Sequence, residues 1–221
     1  MGQTRFASGR QLDLICLGRL GVDLYAQQVG ARLEDVSSFA KYLGGSSANI
    51  AFGTARLGLR SAMLSRTGDD HMGRFLIESL AREGCDVSGI KVDPERLTAM
   101  VLLGLKDRET FPLVFYRENC ADMALRAEDI SEAFIASSKA LLITGTHFST
   151  DGVYKASTRR WTTPKSTTSN GCWTSTTVRS CGGSPARRTA KPVSLPIRTS
   201  PNMCNKSSRA STLWSGRRKS F

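Results

Sequence analysis

The first 158 residues alternate between short apolar runs and segments with apolar residues at helical spacing. The predicted strands are residues 12–17, 61–65 and 140–144, and the predicted helices are residues 46–57, 71–83 and 127–137. Gly84 follows the second helix, where a glycine commonly ends one. Alternating strands and helices predict an α/β fold with a mainly parallel sheet flanked by helices.

Two β-rich runs depart from this alternation. Residues 98–105 and 111–116 are separated by five polar residues, which predicts a hairpin. The polar–apolar run at residues 25–36 predicts a further strand segment. We therefore expect a small antiparallel β flap whose strands lie at about residues 24–36 and 98–117.

Residues 159–221 differ from the first part of the chain in composition and periodicity. Ser and Thr supply 22 of these 63 residues, and no window keeps a strand or helix period. This composition is typical of disordered segments, although three tryptophans are unusual there. We therefore divide the chain into a folded part, residues 1–158, and a basic tail, residues 159–221, that is disordered or out of frame.

Charge follows the same division. The net charge is +12, but residues 1–158 carry 18 basic and 19 acidic residues, whereas residues 159–221 carry 13 basic residues and no acidic one. Binding to nucleic acid through the tail is the weakest alternative, because the basic residues show no folded arrangement. No apolar run is long enough to cross a bilayer, and no secretory signal is evident. We expect a cytoplasmic protein with no nucleic-acid or membrane partner.

Metal-binding patterns are missing from the sequence. No C-x-x-C pair occurs among six cysteines, and His71 and His147 are the only histidines. We interpret both as ordinary turn and strand-end residues. Asp69 and Asp70 fit a helix start better than a metal site, so no metal ligand is predicted.

The most informative stretch runs from Gly44 and Gly45 through two serines and an alanine to Asn49. Paired glycines before a helix let the backbone approach a ligand closely, and the first helical turn offers free N–H groups. Asn49 can donate and accept hydrogen bonds, as sugar hydroxyls require. A tight loop before a capped helix is the alternative interpretation.

The stretch resembles the first signature of the ribokinase-like (PfkB-type) carbohydrate kinases. The matching positions are Gly44, Gly45, Asn49, Ala51, Gly58 and Gly68. Residues 17–23 resemble the family's opening strand, and residues 67–73 and 115–125 resemble two later segments, all in the family's order. Ser47 departs from the general pattern, but the segment around it is similar to one branch, the 5-dehydro-2-deoxygluconokinases of inositol catabolism.

The resemblance implies a ribokinase-like fold and roles for five residues. Asp23 and Asn49 would hold substrate hydroxyls, and Gly44 and Gly45 would let the lid hinge and the loop touch the sugar. Arg117 would lie near the substrate, where a guanidinium can bind the carboxylate of a sugar acid through two parallel bonds.

Each of these side-chain roles has an alternative. Asp23 could cap a turn, and Asn49 could be a structural residue of the helix start. Arg117 could be the surface ion-pair partner of Glu118 or Asp122.

The function implied by the resemblance is ATP-dependent phosphorylation of 5-dehydro-2-deoxygluconate at its primary hydroxyl, with a homodimer through the lid. Intact relatives use ATP and Mg²⁺ and a late catalytic Asp, but no acidic residue follows Asp151. We expect no catalytic residue here, a missing C-terminal half of the fold, and an inactive chain that binds neither cofactor well. A non-catalytic sugar-binding fragment is the alternative.

A shifted reading frame explains the tail's composition. Back-translated and read two bases out of register, residues 160–165, 172–182 and 208–221 are compatible with kinase-like segments in family order. We hypothesise a frame change near residues 159–160, which the DNA sequence beyond codon 159 tests.

Overall fold

A five-stranded parallel sheet forms the base of the fold. The computed structural model describes residues 9–107, 110–148, 150–159 and 170–174. In the order β5-β4-β1-β8-β9, the strands are Ile90–Asp93 (β5), Ser61–Gly68 (β4), Leu12–Leu17 (β1), Ser138–Thr144 (β8) and Asn170–Thr174 (β9). Every neighbouring pair is parallel, so the three strands predicted from apolar runs are confirmed.

The two faces of this sheet form two apolar cores. Because successive strand residues point to opposite faces, Ile15 and Leu17 join one cluster while Cys16 joins the other. Leu141 lies beside Ile15 in the register, and Leu142 lies beside Cys16. Burial on both faces explains why β1 is apolar at every position except Asp13.

Within the part of the chain that the structure describes, four helices accompany the base sheet. They are Ser46–Arg56 (α1), His71–Arg82 (α2), Glu132–Ala136 (α3) and Asp151–Arg159 (α4). The first two confirm the predicted helices, and Gly84 follows α2 with a positive φ of 80°. Among the described residues, no helix is long and apolar enough to cross a bilayer.

A second, four-stranded sheet forms the lid. Its order is β3-β2-β6-β7, with strands Phe39–Gly44 (β3), Gly21–Ala26 (β2), Ala99–Leu103 (β6) and Leu113–Tyr116 (β7). The predicted hairpin is confirmed as β6 and β7, which pair antiparallel. The lid as a whole is mixed rather than antiparallel as predicted, because β2 pairs antiparallel with β3 but parallel with β6.

The predicted lid strand at residues 24–36 is wrong in its bounds. The strand β2 ends at Ala26, and the later part of that run contains a short 3₁₀ turn, Leu33–Asp35. The Gln28 side-chain amide donates to the hydroxyls of Ser37 and Ser38, which ties the loop across its base. The sequence analysis missed β3 because this half-exposed strand has no continuous apolar run.

The predicted helix at residues 127–137 is also wrong as one element. It divides into a 3₁₀ turn, Ala127–Asp129, and the short helix α3. Ile130 has extended backbone angles and is buried, and the Ser131 hydroxyl then caps α3 by accepting from the Phe134 N–H. The buried isoleucine and the capping serine together end one turn and start another.

One strand lies in the segment for which no regular structure is predicted. The strand β9 pairs with β8 from Ala140↔Asn170 to Thr144↔Thr174. The backbone groups of β8 form this ladder, so it does not need the alternating side-chain pattern sought in the sequence. The rest of the predicted tail lies outside the described residues.

The start of α2 confirms the interpretation of Asp70 as a helix-start carboxylate. Asp70 caps the helix by accepting from the Gly73 N–H at 2.7 Å, and its other oxygen accepts from the Thr98 N–H at 2.8 Å. Burial alone would raise the pKa of Asp70, but these hydrogen bonds outweigh it and leave the pKa below its usual value.

We predict that Asp70→Ala lowers the free energy of unfolding by about 2 kcal/mol at neutral pH, because two backbone donors lose their acceptor. Since the folded-state pKa is depressed, this contribution is present above the usual value of 3.8 and is lost as the pH falls through the folded-state pKa. Urea unfolding of both chains at several pH values measures it.

Asp69→Ala is the matched control. The Asp69 carboxylate is 65% exposed and, among the described residues, pairs only with the exposed Arg74, so its loss should change the free energy by no more than about 0.5 kcal/mol. Equal effects of the two substitutions would contradict the capping role of Asp70.

Candidate functional site

Two glycines join the end of β3 to the start of α1. A Cβ atom on Gly44 would collide with the Asp23 carboxylate, and a Cβ on Gly45 would collide with the carbonyl oxygen of Arg19. Gly45 also has φ 96° and ψ 131°, which L side chains rarely adopt. Gly45 therefore requires glycine, whereas a side chain at Gly44 would displace the Asp23 carboxylate from its observed position.

The start of α1 is bound to the carboxyl ends of two base strands. The Ser47 hydroxyl donates to the Leu17 carbonyl oxygen at 2.9 Å and lies 2.9 Å from the Thr144 hydroxyl. The Ser46 hydroxyl donates to the same threonine at 2.9 Å. The glycine loop is thus fixed at the edge of the sheet where ligands of open α/β folds bind.

Asp23 lies within the lid strand β2 and does not cap a turn. Burial raises the pKa of its carboxyl, while the nearby Arg19 opposes the rise. Among the described residues, the Asp23 side chain has no hydrogen-bond donor and no ion-pair partner within 4.0 Å. Its oxygens are available to accept hydrogen bonds from ligand hydroxyls.

Asn49 lies in the first turn of α1, close to the glycines. Its backbone N–H donates to the Gly45 carbonyl oxygen at 2.9 Å, and its side chain is exposed. The helix cap is Gly45, so the Asn49 amide does not serve as the cap. This exposed amide is free to face a ligand above the helix start.

Arg117 forms a buried ion pair with Asp122. Its Nε donates to Asp122 Oδ2 at 2.8 Å, and the two side chains are only 13% and 1% exposed. Burial raises the pKa of the Asp122 carboxyl, and the Arg117 guanidinium opposes the rise. The sequence suggests Glu118 or Asp122 as a surface ion-pair partner of Arg117. The structure pairs Arg117 with Asp122, but the pair is buried rather than at the surface.

Arg19 is a site residue that the sequence analysis missed. It lies in the turn between β1 and β2, and its Cζ lies 5.7 Å from the centroid of the Phe115 ring on β7. Burial, together with Arg117, lowers the pKa of its guanidinium against the opposing effect of Asp122 and Asp23. In the sequence, Arg19 could have been noticed as the single charged residue between the apolar strand β1 and Asp23.

His147 lies at the end of β8, beneath these charged groups. It is fully buried, and neither ring nitrogen has a hydrogen-bond partner among the described residues. Burial, with added repulsion from Arg117 and Arg19, lowers its pKa to about 3. It is therefore a neutral imidazole at physiological pH. The other histidine, His71 at the start of α2, is exposed.

The assembled site combines one carboxylate, one exposed amide and two guanidiniums on the lid side of the base sheet. Such a set can accept from and donate to hydroxyls and can bind an anionic group. Within the part of the chain that the structure describes, no three His, Cys, Asp or Glu side chains are placed to hold a metal ion.

We predict that Gly45→Ala lowers the free energy of unfolding by at least about 2 kcal/mol, because the new Cβ requires a strained backbone and meets the Arg19 carbonyl. Gly53→Ala, within α1 and with open space around its Cα, should instead stabilise the chain by up to about 1 kcal/mol. Chemical denaturation of both variants compares them, and a neutral Gly45→Ala would contradict the close approach.

We predict that His147 makes the folded chain less stable as the pH falls below 6.5, since the unfolded chain gains a proton that the folded chain takes up only near pH 3. The loss should reach about 1–2 kcal/mol by about pH 5. Unfolding measured against pH should show this slope disappear in His147→Phe.

The chain has only two histidines, which makes His71→Gln a matched control. That substitution should leave the slope in place, because the His71 side chain is exposed in the folded chain. A slope that persisted in His147→Phe would contradict the burial of a neutral imidazole.

Comparison with known proteins agrees with this geometry. Residues 11–180 match the pfkB family of carbohydrate kinases. The chain is 39% identical over 142 residues to the 5-dehydro-2-deoxygluconokinase of Geobacillus thermodenitrificans and 41% identical over 142 residues to 5-dehydro-2-deoxygluconokinase 1 of Bacillus cereus. Each alignment covers 64% of this chain, and the chain spans only 42–43% of the length of these relatives.

Solved structures of sugar kinases share the fold. An uncharacterized sugar kinase from Pyrococcus horikoshii, in complex with ATP, is 28% identical with a TM-score of 0.63, covering 66% of this chain and 48% of that one. The fructokinase of Halothermothrix orenii is 30% identical with a TM-score of 0.61, covering 68% and 52%. The lid sheet, the glycine loop and these likenesses lead to one conclusion: the chain belongs to the pfkB family of carbohydrate kinases.

Proposed function

We propose that this chain binds a sugar acid, 5-dehydro-2-deoxygluconate, between its lid and the carboxyl edge of its base sheet. The observation that carries the proposal is the convergence of Arg19 and Arg117 with Asp23. Sugar hydroxyls need the acceptor that Asp23 provides, and an acid needs a cation. The names of the two bacillary relatives support the same substrate.

The described residues supply binding and orientation. The Asp23 carboxylate would accept hydrogen bonds from substrate hydroxyls, and the Asn49 amide would contact further hydroxyls from the start of α1. Gly44 and Gly45 allow the backbone to lie against the sugar without intervening side chains. Closing the lid over the site would exclude water from the bound sugar.

We propose that phosphoryl transfer needs groups that the described residues do not contain. In intact relatives, a late aspartate would remove the proton of the primary hydroxyl, and ATP with Mg²⁺ would supply the phosphoryl group. No acidic residue follows Asp151, so residues 152–221 as printed offer no carboxylate base. The missing late carboxylate favours sugar binding without turnover by this chain.

We also propose a homodimer through the lid. The lid strand β7 is exposed at all four positions, and its Phe115 and Tyr116 are 52% and 55% exposed. Exposed aromatics on an edge strand favour pairing with another sheet. Sedimentation of the chain over a range of concentrations measures this association.

The balanced charge of residues 1–158 favours no nucleic-acid partner, and we place the protein in the cytoplasm with no membrane partner.

We predict that Asp23→Asn weakens binding of 5-dehydro-2-deoxygluconate about tenfold or more, since a charged acceptor of hydroxyl hydrogen bonds is lost. Isothermal titration calorimetry of the full chain measures the affinity. Glu95→Gln makes the same chemical change at a side chain that is 83% exposed and should bind like the parent chain.

Two results would contradict the proposal. The parent chain could show no heat of binding, or Asp23→Asn could bind as tightly as Glu95→Gln. Adding ATP and Mg²⁺ to the complex should release no ADP above a protein-free blank, and steady turnover would refute the proposed lack of phosphoryl transfer.

A further inference from the structure

We propose that Arg19 is the residue that binds the carboxylate of the sugar acid, and that Arg117 is a positioning residue held by Asp122. The inference rests on the proposed function and deepens it, because it names the group that selects an acid over a neutral sugar.

Arg117 already has a carboxylate partner. Its Nε lies 2.8 Å from Asp122 Oδ2, and Asp122 is 1% exposed. If Arg117 turned toward a substrate, Asp122 would remain buried without its cation, which is strongly unfavourable. The second oxygen, Asp122 Oδ1, has no hydrogen-bond partner among the described residues. Asp122 therefore depends on its ion pair with Arg117, and this pair holds the guanidinium in place.

Arg19 has no such partner. Among the described residues, no carboxylate lies within 4.0 Å of its guanidinium, although the side chain is partly buried. The Phe115 ring lies 5.7 Å away, at a distance suited to cation–π contact. A cation–π contact does not use up the N–H donors of a guanidinium, which remain able to bind an anion.

The backbone of Arg19 contacts the loop that contains Gly44 and Gly45. Its carbonyl oxygen accepts from the Ala48 N–H at 3.3 Å and lies against Gly45. The guanidinium is therefore fixed to the same turn that positions Asp23, four residues later. Because Asp23 repels a carboxylate, the acid group of a bound sugar would lie at the Arg19 end and its hydroxyls at the Asp23 end.

Repulsion between two arginines favours an anion beside Arg19. Arg19 and Arg117 repel each other in a partly desolvated site, and this repulsion adds to burial in lowering the pKa of Arg19, while Asp122 and Asp23 oppose it at longer range. Among the described residues, Arg117 has a carboxylate within ion-pair distance and Arg19 has none. A bound carboxylate would give Arg19 a direct partner and hydrogen bonds to a charged donor.

The test compares 5-dehydro-2-deoxygluconate with its primary amide, which has nearly the same shape and no charge. Calorimetry on the full chain should show that the parent protein binds the acid more tightly than the amide. Arg19→Gln should weaken acid binding about tenfold to a hundredfold and bind the amide nearly unchanged, so the preference disappears. Arg19→Lys keeps the charge without the planar donor pair and should retain part of the preference.

Arg56→Gln is the matched control, since Arg56 is 71% exposed near the end of α1, and it should keep the parent preference. Thermal unfolding checks that each variant is folded. If Arg19→Gln does not fold, Arg19→Lys decides: an unchanged preference for the acid refutes the inference, and a reduced one supports it.

The outcomes separate the two proposals. If the parent chain binds neither compound, the proposed function fails and the inference fails with it. If the parent binds the acid and Arg19→Gln keeps the full preference, the inference alone is overturned. Loss of the preference in Arg117→Lys, with Arg19→Gln unaffected, would assign the carboxylate to Arg117 instead.

Discussion

The close approach of backbone and side chains at Gly44 and Gly45 is the constraint on which the site depends. The Asp23 carboxylate occupies the space that a side chain on Gly44 would need, and the Arg19 carbonyl occupies the space beside Gly45. These contacts hold the lid strands β2 and β3 against the start of α1. Without them, Asp23 and Arg19 would not lie beside the same loop.

Near this loop, one arginine has a carboxylate partner within ion-pair distance and the other does not. Asp122 neutralises Arg117 inside the protein, while Arg19 rests on the Phe115 ring with no carboxylate within ion-pair distance among the described residues. Buried polar and charged groups normally have partners. A guanidinium and a carboxylate without direct partners in one site are the basis of our proposal that the ligand carries both an acid group and hydroxyls.

The sequence predicts the base of the fold well because the base is buried on both faces. The strands β1 and β8 each contain an apolar run of four residues, and α2 has a regular apolar face with a capping aspartate at its start. The strand β3 escaped prediction because it belongs to a lid with one exposed face, where the apolar signal is weak. The helix predicted at residues 127–137 failed because Ser131 competes locally as a cap.

The candidate site was only partly predictable for a related reason. Family resemblance marks Asp23, Asn49 and the two glycines, since these positions share a motif in one segment. The pairing of Arg117 with Asp122 and the stacking of Arg19 on Phe115 are tertiary contacts. No spacing in the sequence shows whether an arginine already has an internal partner. Which cation serves the ligand therefore emerges only from the folded chain.

The most direct measurement is a crystal structure of the chain with 5-dehydro-2-deoxygluconate bound. The account predicts that the carboxylate lies within hydrogen-bond distance of the Arg19 guanidinium, that Asp23 accepts from a hydroxyl, and that the Arg117–Asp122 pair stays intact. A sugar acid bound away from the Gly44–Gly45 loop would contradict the account. So would a carboxylate on Arg117 with Asp122 displaced.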